Sequence, residues 1–183
     1  LEIRQKLYDQ QPENPRRQQR LAEAHQWLAA ELWRSKDFAQ SEVHAREALR
    51  LDELRYKRSP RTARANVAAD ALQLGMLALR GKRHEEAIAY MQRTLELRRE
   101  VLRDEPRSAV AALRVAAALN RISIAYREWG RYPEAIRYGS EALEAARATR
   151  KTDPRNVTAG REVVFALADL ALTYEKAGKR PNA

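Results

Sequence analysis

Residues 95–106, LELRREVLRDEP, decide how the rest of the chain is read, because near-copies of them recur three more times. Residues 1–12 read LEIRQKLYDQQP, residues 49–60 read LRLDELRYKRSP and residues 143–154 read LEAARATRKTDP. In each copy leucine precedes proline by eleven residues, and the prolines at 12, 60, 106 and 154 are spaced by 48, 46 and 48. A fixed period of this size marks a stacked-repeat architecture. Each unit is one supersecondary element, and neighbouring units bury each other's apolar faces.

Composition agrees with that class. The 183 residues are 44% hydrophobic and 33% charged, with only six glycines and seven prolines to interrupt them, so long helices are implied. Strong helix formers dominate, while valine, isoleucine and phenylalanine are scarce. No run of about 18 apolar residues is apparent, so no segment is expected to cross a bilayer. No leader with a small-residue cleavage site is visible either. Absence of cysteine excludes disulfides and thiolate metal sites. The chain starts at Leu1, partway through a repeat, and is expected to be a piece of something longer.

Apolar residues three and four apart, such as Leu21, Ala24, Leu28 and Leu32, predict helices. These cover 15–34, 38–57, 62–80, 84–103, 108–129, 132–150 and 156–177, after a short tail helix at 1–11. Each helix ends before a proline or a short turn, because the residue before proline avoids the helical region. Gly130 and Gly178 stand just past helix ends, where a left-handed residue is wanted. The expected array therefore has a tail at 1–11, complete pairs at 14–60, 61–106 and 107–154, and an incomplete repeat at 155–183.

In register, the repeats agree position by position. Leu28, Leu74, Ile122 and Leu170 share a core site, followed by the small residues Ala29, Gly75, Ser123 and Ala171. Across the short turn Phe38, His84, Tyr132 and Arg180 align, then Ser41, Ala87, Ala135 and Ala183. His44, Tyr90 and Tyr138 follow, and after them Ala48, Thr94 and Ala142.

With these residues in place the sequence resembles the tetratricopeptide repeat (TPR) family. Ile122-Ser123, Tyr126, Gly130, Tyr132, Ala135, Tyr138, Ala142-Leu143 and Pro154 follow the family's order of leucine-glycine, tyrosine, glycine, tyrosine, alanine, aromatic, alanine and proline. The period departs from the family's usual 34 residues by about seven residues per helix. That is nearly two turns, so the added segments keep one face inward to within about 20°. The second repeat has two residues fewer between Pro60 and Leu74, which most simply shortens the start of its first helix. The resemblance implies an all-α, right-handed superhelix of antiparallel helix pairs, an α-solenoid. Lengthened units of this kind resemble the arrays attached to bacterial eukaryotic-like serine/threonine protein kinases.

No catalytic constellation is present. His25, His44 and His84 fall on three helices, and the last two align with packing tyrosines or other aromatics, so a packing role outweighs catalysis or metal binding. No glycine-rich phosphate loop, H-E-x-x-H or kinase signature occurs. The segment is expected to be non-enzymatic, with no cofactor and no metal. In the family the first helices line a concave groove, with residues two before, two after and five after the core leucine facing into it. The resemblance places Gln26, Ala30 and Trp33 there, with Leu72, Met76 and Leu79, then Asn120, Ile124 and Arg127, then Ala168, Leu172 and Glu175. A protein or peptide is the expected partner, while the lysine–asparagine pair of the family's carboxylate clamp is missing. Leu72, Met76 and Leu79 equally suit packing between neighbouring first helices.

The excess of 35 basic over 25 acidic residues is densest at Arg55, Lys57, Arg58, Arg61 and Arg64. A basic edge through the proline turns is the alternative working surface, for nucleic acid. Helix-dipole complementation is the stronger explanation, at about 0.3 to 1 kcal/mol for each cation in a last turn. A third reading is an oligomerising spacer. Self-association through uncovered end faces is expected, and a cytoplasmic location, with the periplasm left open.

Overall fold

Two kinds of turn alternate along the chain and set its register. The computed structural model describes residues 1–178, in eight helices with no strand among those residues. They are α1 (Glu2–Gln10), α2 (Pro15–Arg34), α3 (Phe38–Arg58), α4 (Pro60–Arg80), α5 (His84–Asp104), α6 (Ala109–Glu128), α7 (Tyr132–Thr152) and α8 (Val157–Lys176). Arg180 and Ala183, both placed in register by the sequence, lie outside the described residues.

The first kind of turn follows each proline. Two residues after Pro12, Pro106 and Pro154 stand Asn14, Ser108 and Asn156, and each caps the next helix. Asn14 Oδ1 accepts from the Arg16 and Arg17 amides at 3.0 and 3.3 Å, Ser108 Oγ from Ala111 at 3.2 Å, and Asn156 Oδ1 from Ala159 at 2.9 Å. Such caps satisfy orphan N–H groups and contribute about 1 kcal/mol each. The fourth turn departs from this. α4 begins at Pro60 itself, and Ser59 alone separates it from α3. Thr62, which stands where the caps stand, instead donates both its amide and its hydroxyl to the Ser59 carbonyl, at 3.2 and 3.1 Å. The shorter second repeat therefore loses residues from its turn, whereas the sequence pointed to a first helix shortened to start at 62. Proline has no N–H to leave unpaired, which is why a helix can start on it.

The second kind joins the helices of a pair. Lys36, Lys82 and Gly130 adopt positive φ of 66°, 58° and 80°. Their amides donate to Trp33, Leu79 and Arg127 at 3.1, 3.0 and 3.0 Å, and the next amides donate to Leu32, Ala78 and Tyr126 at 2.8, 2.9 and 2.9 Å. This paired closure satisfies the last carbonyls of the first helix. Gly130 and Gly178 hold the left-handed position expected of them. Lys36 and Lys82 hold it in the earlier repeats at a steric cost of about 1–2 kcal/mol.

The chain divides into two compact units, Leu1–Leu77 and Ala78–Ala183. In the first, Leu21, Ala22 and Leu51 form a buried cluster against which Tyr8 of α1 packs. α2 and α3 meet at the small residues Ala29 and Ser41, both fully buried, where Ser41 Oγ donates to the Ala29 carbonyl at 2.8 Å. Arg58, at the end of α3, donates to the Glu13 carbonyl at 2.9 Å and pairs with its carboxylate. The Pro12 and Pro60 turns thereby share one edge of this unit.

In the second unit Ala116, Leu143, Ala146, Val163, Ala166 and Leu170 join α6, α7 and α8. α6 and α7 meet at Ser123 and Ala135, and here Ser123 Oγ donates to the Ala135 carbonyl at 2.7 Å. Gly139 closes the same junction, since a Cβ on it would lie 2.8 Å from Leu170 Cδ2 and 3.0 Å from Ser123 Oγ. Pro106 and Ser108 border a cleft of about 430 Å³ shared with Thr149 and Thr152 of α7, so the Pro106 and Pro154 turns also lie at one edge.

α6 bears on the expectation about membranes, because Ala109–Glu128 is long and apolar enough to cross one by length and composition alone. Its packing gives another reason for that composition: ten of its residues, spread around the helix, are buried. α8 is covered on one side only. Ala171, at the register site buried in Ala29, Gly75 and Ser123, is exposed, and Phe165, Leu167 and Leu172 are exposed with it.

Two outcomes follow for urea unfolding. Lys82→Gly relieves the left-handed backbone and raises stability by about 0.5–1 kcal/mol. Gly139→Leu and Ser123→Leu force bulk into a closed three-helix junction and each lower stability by about 1–3 kcal/mol or more. Unchanged midpoints in both leucine variants would remove these positions from the helix contact.

Candidate functional site

The first-type helices α2, α4, α6 and α8 carry the positions at which the resemblance places a groove. In the first unit Gln26 on α2 is half-buried, and its side-chain amide donates to Asp52 Oδ2 at 3.0 Å and to Asp70 Oδ1 at 2.9 Å. Asp52 on α3 and Asp70 on α4 are buried at 0% and 2% exposure. Arg55, one turn beyond Asp52, pairs with it. Two buried carboxylates joined by one amide cannot both ionise cheaply. Burial, and next the charge of Asp52, push the Asp70 carboxyl up to about 8. Burial also raises Asp52, against the pull of Arg55. At neutral pH the pair therefore holds a proton.

In the second unit the equivalent amide is Asn120, which donates to Asp169 Oδ2 on α8 at 2.7 Å. Arg127, two turns further along α6 and only 7% exposed, pairs with Asp169 Oδ1 at 3.2 Å and donates to its carbonyl at 3.3 Å. Lys176 and Glu128 add an outer pair at 3.6 Å. Gln26, Asn120 and Arg127 thus bind one first-type helix to the next, within their own units. Trp33 packs edge-on against Phe38 at 5.4 Å beside the short turn. Leu72 and Met76 in the first unit and Ile124 in the second are half-buried, and Leu172 is 39% exposed. With Trp33, which is also half-buried, these four supply the uncovered apolar surface of the set.

The basic edge is largely engaged. Arg55 pairs with Asp52, Arg58 with Glu13, and Arg64 is 9% exposed, while Lys57 and Arg61 stand at the surface.

Two histidines that fall on separate helices are brought together. His25 and His44 approach Nδ1 to Nδ1 at 2.9 Å, with rings 5.1 Å apart, so one must donate to the other. Burial, then the charge of His44, push His25 below its usual range. His84 stacks on Trp129 at 6.0 Å, and Tyr126 on Tyr138 at 5.5 Å. These are packing roles. Among the described residues no three His, Cys, Asp or Glu side chains gather as a metal site would need.

The acid pair escaped the sequence reading, although a signal existed. In register Asp70 stands in a column otherwise filled by Ala24, Ala118 and Ala166, and Asp52 in one shared with Arg4, Arg98 and Ala146. A lone acid in an alanine column is buried wherever the alanines are.

The pair makes stability depend on pH. Asp70 is raised in the folded state, so between about pH 4 and 8 the native chain holds a proton that the unfolded chain releases. Its stabilising contribution is complete below the unfolded value and is lost as pH rises through about 8. His25 acts oppositely, losing stability as pH falls below the usual histidine range. Asp70→Asn, a permanently neutral isostere, is therefore expected to flatten the fall in melting temperature between pH 7 and 8.5 and to melt higher than the parent at the upper end. An identical decline in parent and variant would show that the buried pair does not hold the proton.

Comparison with known proteins bears on the fold. The sequence model of the tetratricopeptide repeat family matches residues 67–148. Among solved structures, the crystal structure of BtubC (BKLC) from P. vanneervenii is similar at a TM-score of 0.55 and 19% identity, over 97% of this chain and 80% of that one. At that identity the likeness speaks for the fold alone. No curated protein matches the chain. Tetratricopeptide repeats are in general non-catalytic scaffolds for protein interaction. The helix pairs, the register and the match at residues 67–148 together show an all-α fold of tetratricopeptide type.

Proposed function

We propose that the chain is a non-enzymatic module that binds a protein or peptide along its first-type helices, as part of a larger bacterial signalling protein. The observation that carries this reading is the uncovered apolar surface at Leu72 and Met76 in one unit and Ile124 and Leu172 in the other. Half-buried apolar side chains rimmed by fixed polar groups suit a peptide that adds its own apolar residues. The length of the repeats supports a place beside a serine/threonine kinase domain in the cytoplasm. The exposed apolar residues of α8 suit self-association as a secondary property.

Replacing Met76 and Ile124 together by glutamate tests the reading, with capture of partners from a bacterial lysate as the measurement. The expected result is loss of proteins retained by the parent, with far-ultraviolet circular dichroism unchanged. A variant that retains the same proteins as the parent would end the groove reading.

A further inference from the structure

The register column that holds Asp52 in one repeat holds Arg98 in the next. Arg98 reaches from α5 to α6, where its Nη1 donates to the Arg114 carbonyl at 2.8 Å. Arg4 makes the same bond to Arg20 at 2.9 Å, 94 residues earlier, so the bond itself is a clip between successive helices. The surroundings of Arg98 are what differ. Arg98 is half-buried, while Arg114 and Arg121 are exposed on one stripe of α6, seven residues or about 10 Å apart. Burial, followed by the charges of Arg114 and Arg121, lowers the Arg98 pKa. Among the described residues none of these three guanidinium groups has a carboxylate partner. Arg55, Arg58, Arg99, Arg127 and Arg131 all have one.

Three like charges gathered without a counter-charge repel one another, and a clip needs only one of them. The arrangement becomes favourable when an anion enters. A guanidinium fork matches a carboxylate with two parallel hydrogen bonds, and Arg98 has donors left after its bond to Arg114. The patch is short, extending over two turns of one helix. A nucleic-acid strand would need a continuing track of free cations, and Arg55 and Arg58 of the first unit are already held by Asp52 and Glu13.

We propose that Arg98, Arg114 and Arg121 form a carboxylate-binding site on the α5–α6 face, through which the module selects acidic peptide segments. This rests on the reading of the chain as a peptide-binding scaffold and adds the chemistry of the partner.

Fluorescence anisotropy with the full chain provides the test, using a labelled peptide of alternating Glu and Ala, its Gln-for-Glu counterpart and a single-stranded RNA of equal length, at physiological salt. The acidic peptide is expected to bind and the glutamine peptide to bind far more weakly. Arg114→Gln with Arg121→Gln is expected to weaken the acidic peptide about tenfold or more. Both residues are exposed, so the melting temperature should hold. Arg147→Gln with Arg161→Gln, the same charge change at other exposed positions, serves as the control and should change affinity little. An equal loss in the control would reduce the effect to net charge and overturn the site. Equal binding of the glutamine peptide, unaffected by the Arg114 and Arg121 changes, would overturn the acidic preference and leave the scaffold reading standing. Failure of the acidic peptide to bind, or tighter binding of RNA that the same changes abolish, would also overturn it.

Discussion

Close approach of the two helices in a pair is the constraint on which the structure depends. α2 and α3 meet at Ala29 and Ser41, and α6 and α7 at Ser123 and Ala135. In both crossings a serine hydroxyl reaches across to the carbonyl of the facing alanine, at 2.8 and 2.7 Å. The direction is opposite in the two, from second helix to first in one and from first to second in the other. The register therefore requires that both residues be small, and the hydrogen bond can be supplied from either side. A hydroxyl buried without that acceptor would be costly, so the bond also fixes the depth at which the helices cross.

The turns carry this crossing from one repeat to the next. A left-handed residue ends the first helix of each pair, and the paired amide bonds around it satisfy the last carbonyls without lengthening the loop. Lysine occupies that position twice, which indicates that packing of the pair outweighs the local backbone preference at Lys36 and Lys82. The proline turns are looser in their requirement. Three use a capping side chain two residues on, and the fourth dispenses with the cap by starting the helix on Pro60. Different local solutions at the two turn types keep the core leucines in phase.

Polar groups within the array divide by what faces them. Where an amide meets a carboxylate, as in Gln26 with Asp52 and Asp70 or Asn120 with Asp169, successive first-type helices are joined within a unit. Where arginine replaces the acid, as at Arg98, the clip is kept through a backbone carbonyl and positive charge accumulates on the face. One column of the repeat thus serves cohesion in one place and an unpaired charge in another. The apolar residues left uncovered, among them Ile124 and Leu172, lie outside both networks.

The fold was legible in the sequence because it rests on periodic local signals. Leucine and proline at a fixed separation, alanine-rich helical spacing and glycine past helix ends are each properties of a few neighbouring residues, and repetition made them readable several times over. The helices at 15–34, 38–58 and 84–104 fell within a residue or so of expectation for that reason. Deviations came where one repeat differs from its copies, as in the start of α4 on Pro60 or the left-handed Lys82 beside Gly81. Side-chain partners were another matter. Nothing local joins Gln26 to Asp70 across 44 residues, His25 to His44, or Asn120 to Asp169, and Arg58 of the basic edge meets its carboxylate only when packing brings Glu13 beside it. The sequence determined which faces would be apolar and where each helix would stop. Only the tertiary structure decided which polar groups those faces would trap together, because burial and charge pairing depend on residues that the chain separates and packing reunites.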